Sequence, residues 1–274
     1  IIMVVQHNLQ AANTNRMLGQ NVKAVSKSTE KLSSGYQVNR AADDAAGLSI
    51  SEKMRNQIRG INQSVKNSED GVSLIQTAEG NMNEIHSILQ RMGELATKAA
   101  NDVNATEDRN AIADEMTQLR SEIDSISSKA AFNGTKLLTG AFKSKFLQVG
   151  ANSGENMEIT IKTMNTTTLS LTATDVCVST HAAASGAMSK ISEAIKTVSA
   201  ARSELGAKQN RLNYTINNLE NYSENLTSAE SQIRDTDMAT EMTNYTKNNI
   251  LQQAAQSMLA QANQSTQGVL SLLQ

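Results

Sequence analysis

The chain has 274 residues, a formal net charge of -2 at pH 7, one cysteine, and neither proline nor tryptophan. Average usage would supply about 14 prolines, so this composition contains no proline to interrupt a helix. A near-neutral charge without a run of like charges argues against a nucleic-acid partner. The opening apolar run, Ile1 to Val5, is far shorter than the roughly 20 residues of a membrane span, and no charged stretch precedes it. We therefore expect neither stable membrane insertion nor a cleaved signal peptide.

The first predicted element is a helix over residues 8–32, followed by Gly35 at a position where a left-handed glycine can end it. Apolar and small residues recur along it at helical spacing. These residues are Ala11, Thr14, Leu18, Val22, Val25, Thr29 and Leu32. Such a weak stripe cannot hold an isolated helix together, so the helix needs a partner.

The longest stripe runs through a predicted helix over residues 43–101. Its members alternate at spacings of three and four, the period of a helix buried along one side. They are Met54, Ile58, Ile61, Val65, Ser68, Val72, Ile75, Ala78, Met82, Ile85, Leu89, Met92, Ala96 and Ala99. A stripe of roughly 45 residues corresponds to a helix about 70 Å long, which must lie against other long helices. We expect Asp43 and Asp44 to cap this helix rather than bind a metal, because adjacent side chains diverge.

Three more helices are predicted, over residues 106–130, 182–233 and 236–274. The first begins at Thr106, which two acidic residues follow. The second carries a long stripe at helical spacing. Its members are Met188, Ile191, Ile195, Val198, Leu205, Leu212, Ile216, Leu219, Tyr222, Leu226, Ala229 and Ile233. The third begins within a cap-like break at residues 235–237.

Between residues 136 and 174 the apolar period changes from helical spacing to two. Met157, Ile159 and Ile161 alternate with polar residues, and residues 146–149 lie across a turn-like stretch at 152–155. This pattern predicts a β-hairpin.

The predicted fold is mainly α, a long antiparallel helical rod or coiled-coil bundle with a small β-hairpin region. Paired terminal helices would form a second coiled-coil domain. We assign residues 1–42 to the N-terminal helix of that second domain with its linker, 43–235 to the rod, and 236–274 to the C-terminal helix. Apolar termini with small side chains favour contacts with other copies of the chain.

The sequence contains no recognisable catalytic, cofactor-binding or metal-binding motif. His7, His86 and His181 lie in different segments, and the common nucleotide-binding and hydrolase motifs are missing. Cys177 is the single cysteine, and we expect it to be a buried or incidental thiol. These observations indicate a structural interaction protein rather than an enzyme.

Several segments together resemble bacterial flagellin over essentially the whole chain. They are residues 6–14 (QHNLQAANT), 31–35 (KLSSG), 41–47 (AADDAAG), 67–71 (NSEDG), 89–92 (LQRM), 132–134 (FNG), 149–152 (VGAN) and the tail 252–274. The resemblance implies a flagellar filament subunit, exported unfolded through the flagellar type III channel and assisted by an export chaperone and a cap protein. With only about 40 residues between the flanking helices, the chain is similar to minimal flagellins without outer domains.

The same resemblance implies two interaction surfaces. Packing of the filament's inner tube would use Leu18, Val22, Val25, Leu32, Leu251, Ala255, Met258, Ala262, Val269 and Leu272. Recognition by the vertebrate Toll-like receptor for flagellin would use Gln90, Arg91, Glu94, Leu95 and Glu115. Helical spacing independently predicts that Arg91, Glu94, Leu95 and Lys98 lie off the buried stripe, where a plain solvated face is the alternative. Gly93 stands where many receptor-active members carry arginine.

Two alternatives remain open from the sequence. A hook–filament junction protein shares the terminal sequences but usually carries a different middle. A secreted translocator that inserts amphipathic helices into membranes is suggested by the apolar residues 1–5 and 250–273, although the many glutamines of the last helix suit subunit packing better.

Overall fold

The computed structural model describes residues 8–271, with the side chains of residues 8–265. These residues form the helices α1 (Leu9–Ser34), α2 (Ala45–Ala99), α3 (Thr106–Lys129), α4 (His181–Arg234) and α5 (Met238–Ser271). Short strands lie between α3 and α4, namely β1 (Ala131–Phe132), β2 (Thr135–Lys136), β3 (Lys145–Gln148) and β4 (Asn156–Ile159). The protein is mainly α-helical, and the predicted fold class is confirmed.

Local signals determine where the helices begin and end. Gly35 follows α1 with a φ of 77°, the left-handed conformation that favours glycine. Asp44 Oδ1 accepts a hydrogen bond of 2.9 Å from Gly47 N, which caps α2 as predicted. The predicted cap by Asp43 is wrong, because its carboxylate binds Lys27 and Arg40 N instead. Asp237 caps α5 in the same way, since its carboxylate accepts the backbone N–H groups of Ala239 and Thr240.

The chain divides into two compact units. Unit 1 comprises Ile1–Asn56 with Asn225–Gln274, and unit 2 comprises Gln57–Glu224. In unit 1, α1 packs along α5, so the predicted pairing of the terminal helices is confirmed. The unit boundaries fall inside α2 and α4, whereas the predicted division at 42/43 and 235/236 concerns assembly and stays a prediction.

In unit 2, α2, α3, α4 and the strands enclose one hydrophobic core. Most of the predicted α2 stripe is buried, from Ile61 through Ala99. The helix α4 lies directly against it, because a Cβ on Gly93 would be 3.8 Å from Ile191 Cγ2 and one on Gly71 would be 3.3 Å from Leu212 Cδ1. The antiparallel return of α4 along α2 is confirmed.

The predicted stripe of α4 is wrong in two places. Met188 is 37% exposed and Tyr222 is 49% exposed. The buried positions of α4 comprise four residues of the predicted stripe and four alanines that it omitted. They are Ala184, Ala187, Ile191, Ala194, Val198, Ala201, Leu205 and Leu212. Alanine fills a core position wherever two helices approach closely, so a stripe drawn through large side chains alone misses it.

The hairpin prediction is confirmed, and a second, shorter hairpin was not predicted. β3 pairs antiparallel with β4 in a register that places Leu147 opposite Met157. Met157 and Ile159 are buried while Asn156 and Glu158 are exposed, as the period of two requires. The strands β1 and β2 pair around Asn133 and Gly134, which have φ values of 47° and 77°. We predicted only that the preceding helix ends at residue 130, although Asn-Gly is a strong signal for a two-residue hairpin turn.

Candidate assembly and receptor surfaces

The helices α1 and α5 lie antiparallel, and two polar contacts set their register. Asn8 Nδ2 donates to the carbonyl oxygen of Ala262 at 3.0 Å. Nearer the other end, Lys31 Nζ lies 3.9 Å from Glu241 Oε2. Between these contacts the less exposed residues of both helices recur at spacings of three and four. They are Ala11, Thr14, Leu18, Asn21, Val25, Ser28 and Leu32 on α1, and Glu241, Tyr245, Asn248, Gln252, Ala255, Leu259 and Ala262 on α5.

The ten residues predicted to pack the inner tube therefore fall into groups. One group belongs to the stripe that α1 and α5 share: Leu18, Val25, Leu32, Ala255 and Ala262. A second group is exposed: Val22 at 44%, Leu251 at 45% and Met258 at 55%. The side chain of Val269 and the whole of Leu272 lie outside the described residues, as do Ile1 to Val5. The described residues predicted to form one inner-tube surface therefore lie on two: the stripe between α1 and α5 within the chain, and a separate face that is exposed.

Sequence reasoning missed further apolar residues on the outward faces of the terminal helices. Met17 on α1 is 49% exposed, and Met242 and Ile250 on α5 are 50% and 61% exposed. Met242, Thr246, Lys247, Ile250 and Leu251 line a shallow apolar groove along α5. The sequence could have revealed them, because the apolar residues of α5 occupy more than one face of the helix. A helix buried along a single stripe needs apolar residues on only one face.

The aspartates ahead of α2 are occupied by protein groups. Asp43 Oδ1 lies 2.7 Å from Lys27 Nζ, and Asp43 Oδ2 accepts a hydrogen bond from Arg40 N. The hydrogen bond with Lys27 holds the pKa of Asp43 below its usual value and raises the pKa of Lys27. Within residues 8–271 no cluster of three or more histidine, cysteine or acidic side chains could hold a metal ion.

In unit 2, Arg91 on α2 joins two acidic residues at the predicted receptor surface. Its guanidinium donates to Glu94 Oε2 at 3.0 Å and, through Nε and Nη2, to Glu115 Oε1 on α3, both at 3.0 Å. The hydrogen bonds to Glu94 and then to Glu115 raise the pKa of Arg91. The three side chains are 52%, 69% and 44% exposed. The predicted exposure of Arg91 and Glu94 is confirmed, and α3 adds Glu115 to the same surface.

The prediction that Leu95 is exposed is wrong, because its relative accessibility is 3%. Around this turn α2 is covered from two sides: Arg91 reaches α3 through Glu115, and Gly93 faces Ile191 of α4. A second covering helix widens the buried stripe, so the position three residues after Met92 joins the core.

The other predicted residues near this surface are exposed, as expected. Gln90 lies 3.1 Å from the imidazole of His86, and both Gln90 and Lys98 reach the surface. Elsewhere in unit 2, His181 Nδ1 lies 2.6 Å from the carbonyl oxygen of Ala100, and His7 lies outside the described residues. The described histidines are therefore far apart in the sequence and bonded to different partners.

The single cysteine is partly accessible. Cys177 is half-buried, and a hydrogen bond with Ser179 lowers its thiol pKa.

The membrane-inserting alternative can be compared with the helices themselves. In the described part of the chain, none of the helices combines the length and apolarity that crossing a bilayer demands.

Comparison with known proteins yields two family matches that flank the hairpin region. Residues 5–143 match the bacterial flagellin N-terminal helical region, and residues 188–273 match the bacterial flagellin C-terminal helical region. The flagellin of Halalkalibacterium halodurans is 52% identical, and the alignment covers 99% of this chain and 100% of that protein. The flagellin of Bacillus subtilis is 47% identical, again covering 99% of this chain and 100% of the relative.

Solved structures show related folds. The crystal structure of Bacillus cereus flagellin is 32% identical with a TM-score of 0.50, covering 56% of this chain and 88% of that one. A flagellar hook-associated protein from Vibrio parahaemolyticus gives a TM-score of 0.60 at 15% identity, covering 70% of this chain and 100% of that one. At that identity the second likeness concerns the fold alone.

Proposed function

The chain belongs to the bacterial flagellin family and is a non-enzymatic structural subunit of the extracellular flagellar filament, and we propose that the outward faces of α1 and α5 join one copy to the next. The observation that carries this proposal is the exposure of Ile250 at 61% and Met258 at 55% on a helix whose inner stripe already faces α1. Apolar side chains that remain exposed at regular places along a helix mark an interaction surface.

The energetics favour the same conclusion. Burying one aliphatic side chain is worth about 1.5–3 kcal/mol. The stripe between α1 and α5 contains many polar and small residues, so it contributes little hydrophobic stabilisation of its own. A second copy that covers the outward residues of α5 would supply burial that the single chain lacks.

Replacing Ile250 with aspartate tests the proposal. Ile250→Asp should raise the critical concentration for polymerisation by about tenfold or more, because it removes an apolar contact and buries a charge. Gln256→Asp is the matched control, since it places the same carboxylate at an exposed polar position of α5. Filaments of Ile250→Asp that form at the wild-type critical concentration would refute the interface.

We also propose the assembly division of the chain. Residues 1–42 and 236–274 would form the inner-tube domain, and residues 43–235 the rod domain. The support is that the two flagellin helical-region matches cover both ends of the chain. Cross-linking between cysteines introduced at Val22 and Ile250 of different copies, in filaments but not in monomers, is the expected result.

Export in an unfolded state, with an export chaperone and a cap protein as partners, is proposed on the same family membership. A fast-folding domain fused to the chain should block its export if the channel accepts only unfolded protein. Cells without the cap protein should release soluble subunits into the medium rather than extend filaments.

A second proposed function is recognition by the vertebrate Toll-like receptor for flagellin. The observation that favours it is the exposed cluster of Arg91, Glu94 and Glu115, which two helices hold together. With Leu95 buried, we assign it the role of supporting the helix beneath Gln90 and Arg91 rather than touching the receptor. Arg91→Ala should reduce reporter-cell signalling by monomer more than Lys98→Ala, a matched loss of positive charge on the same helix.

Position 93 offers a gain-of-function test of the same surface. A Cβ on Gly93 would meet Ile191 Cγ2 at 3.8 Å, which is ordinary van der Waals contact. Gly93→Arg should therefore fold and strengthen signalling, whereas Gly93→Ala should fold without that gain. Equal signalling by the two variants would argue for a plain solvated face.

The alternatives from the sequence have less support. The likeness to a hook-associated protein concerns the fold alone, while relatives of 52% and 47% identity are flagellins. Electron microscopy separates the two possibilities, since a junction protein should not form long filaments by itself. A liposome-leakage assay tests the membrane-inserting translocator, for which strong leakage would be required.

A further inference from the structure

Two connecting segments of unit 1 meet beside Arg234, the last residue of α4. Residues 35–44 join α1 to α2, and residues 235–237 join α4 to α5. Tyr36 and Asp235 form an antiparallel β-bridge. Thr236 N donates to Gly35 O at 2.9 Å, and Gln37 N donates to Arg234 O at 2.8 Å. The backbones of the two segments are therefore hydrogen-bonded to each other.

The Arg234 side chain binds a third segment at the same place. Its guanidinium carbon lies 4.6 Å from the centre of the Tyr36 ring, within the range of a cation–π interaction. Arg234 Nη1 donates to Glu52 Oε1 at 2.9 Å, and its distance to Ser51 Oγ is 3.5 Å. Ser51 is itself buried and donates to Glu230 Oε1 at 2.8 Å. One side chain thus contacts the first connecting segment and the start of α2.

We infer that Arg234 is a positioning residue for filament assembly: it fixes the two connecting segments to each other and to the first turns of α2, and so sets the direction in which α1 and α5 leave them. This inference rests on the proposed role of α1 and α5 as the contact between copies. We call the group formed by Tyr36, Ser51, Glu52 and Arg234 the linker clasp.

The stripe between α1 and α5 does not by itself explain how the pair is oriented. Both sides of that stripe are largely polar or small, so it specifies direction weakly. The linker clasp is more directional, because a planar guanidinium must stack on one ring and reach one carboxylate at the same time. The Arg234 side chain is only 13% exposed, so solvent screens these contacts less than those of a surface ion pair.

The chain offers a matched control for the charge. Arg55 Nη1 lies 3.5 Å from the same Glu52 oxygen, but its side chain is 41% exposed and the pair is local to α2. Arg55→Ala therefore removes one positive charge from the same carboxylate without touching Tyr36 or the connecting segments. Arg234→Ala removes the positioning contacts as well.

Tyr36 provides a second matched pair. Tyr36→Phe keeps the aromatic face under the guanidinium, whereas Tyr36→Leu keeps an apolar side chain but removes the face. If the ring positions Arg234, Tyr36→Phe should behave as the unchanged chain and Tyr36→Leu should resemble Arg234→Ala. A role in packing alone would make the leucine variant the milder change.

The experiment is hydrogen exchange of the polymerised full-length chain, read at the amides of Gln37 and Thr236. Arg234→Ala and Tyr36→Leu should exchange at both amides about tenfold faster than the unchanged chain, since losing the clasp opens this region locally. Arg55→Ala and Tyr36→Phe should exchange at the unchanged rate. The critical concentration for polymerisation should rise in the first two variants only, while circular dichroism of each monomer keeps its helical signal.

Two results would support the inference about Arg234, and two would overturn it. A variant of Arg234 that no longer polymerises but keeps the monomer's helical signal supports the inference, and so does selective exchange at the two amides. An unchanged exchange rate at the two amides in Arg234→Ala overturns the inference. A loss of helical signal in the Arg234→Ala monomer also overturns it, because the variant would then have lost its fold. If Ile250→Asp polymerises normally while Arg234→Ala exchanges faster, the proposed interface on α5 fails and the linker clasp stands.

Discussion

Gly71 of α2 lies directly beneath Leu147 of β3, and a methyl group added to this glycine would overlap the leucine side chain. Leu212 of α4 is also close, at 3.3 Å from the position of that methyl carbon. Asn67, one turn earlier, donates to the carbonyl oxygen of Gln148 at 3.2 Å. The hairpin is thus seated on α2 at a position where only glycine leaves room.

Alanine normally stabilises a helix relative to glycine, but at Gly71 we expect it to destabilise the helix relative to the same change at an open position. Gly80→Ala, where no atom lies within 4 Å of the new methyl group, should raise the free energy of unfolding by about 0.5–1 kcal/mol. Gly71→Ala should be less stable than Gly80→Ala by about 1–3 kcal/mol, because overpacking opposes the helix gain. Urea unfolding of the two monomers measures the difference, and equal stabilisation would show that Leu147 moves aside freely.

Leu95 should behave as a core residue despite its place beside the receptor surface. Leu95→Ala should lower the free energy of unfolding by about 2–5 kcal/mol, similar to Leu89→Ala, because both leave a cavity. Arg91→Ala should cost far less, since its ion pairs are exposed. Melting of the three variants ranks them, and a Leu95→Ala protein as stable as Arg91→Ala would contradict the burial.

Acid should weaken α5 through its cap. Hydrogen bonds from Thr240 and Ala239 hold the pKa of Asp237 below its usual value. Since the folded-state pKa is the lower one, this stabilisation is complete above the ordinary carboxyl pKa of about 3.9 and is lost as the pH falls through the folded-state value. Asp237→Asn keeps a capping oxygen but does not titrate, so its polymer should lose less stability on acidification. Sedimentation between about pH 5 and pH 2 measures this, with Asp114→Asn on α3 as the control.

The terminal helices should be protease-sensitive in the monomer. Among the described side chains of α1 only Ser28 is buried, so α1 and α5 bury too little apolar surface to offset the entropy of ordering them alone. Brief proteolysis of monomer should trim both ends to a fragment of about residues 45–230, whereas filaments should resist. Equal resistance in monomer and filament would contradict this expectation.

Removing the end of α5 should separate assembly from folding. A chain that lacks residues 255–274 loses Ala255, Leu259 and Ala262 from the stripe shared with α1, but no residue of unit 2. Sedimentation should detect no filaments, while circular dichroism retains the helical signal of unit 2. Normal filaments from the shortened chain would show that this part of α5 is dispensable.

The long helices could be predicted closely from the sequence. α2 was expected over 43–101 and spans Ala45–Ala99, and α4 was expected over 182–233 and spans His181–Arg234. A long helix buried along one stripe repeats its pattern many times, so a few misleading residues do not obscure it. The local caps at Gly35 and Asp44 were equally readable because each depends on one residue and its near neighbours in the sequence.

The exact facing residues were harder to predict because they depend on the partner helix. Leu95 is buried on a turn of α2 where Arg91 binds Glu115 of α3 and Gly93 faces Ile191 of α4, and no local pattern on α2 reveals this. On α1 the stripe passes through Asn21 and Ser28 rather than Val22 and Thr29, so its outward apolar residues became visible only once the position of α5 was known. The linker clasp joins residues nearly 200 positions apart, as the pair of Tyr36 and Arg234 illustrates.

The segments before and after β4 differ in whether a foreign peptide could be inserted there without disturbing the core. After β4, Leu169, Leu171 and Val176 are buried in the core, and Arg120 Nε donates to Leu171 O at 2.6 Å. The turn before β4 is exposed from residue 151 to 155. A foreign peptide grafted into that turn would leave these buried contacts intact, whereas one grafted after β4 would cut through them. The turn is therefore the place at which the subunit could display many copies of an epitope.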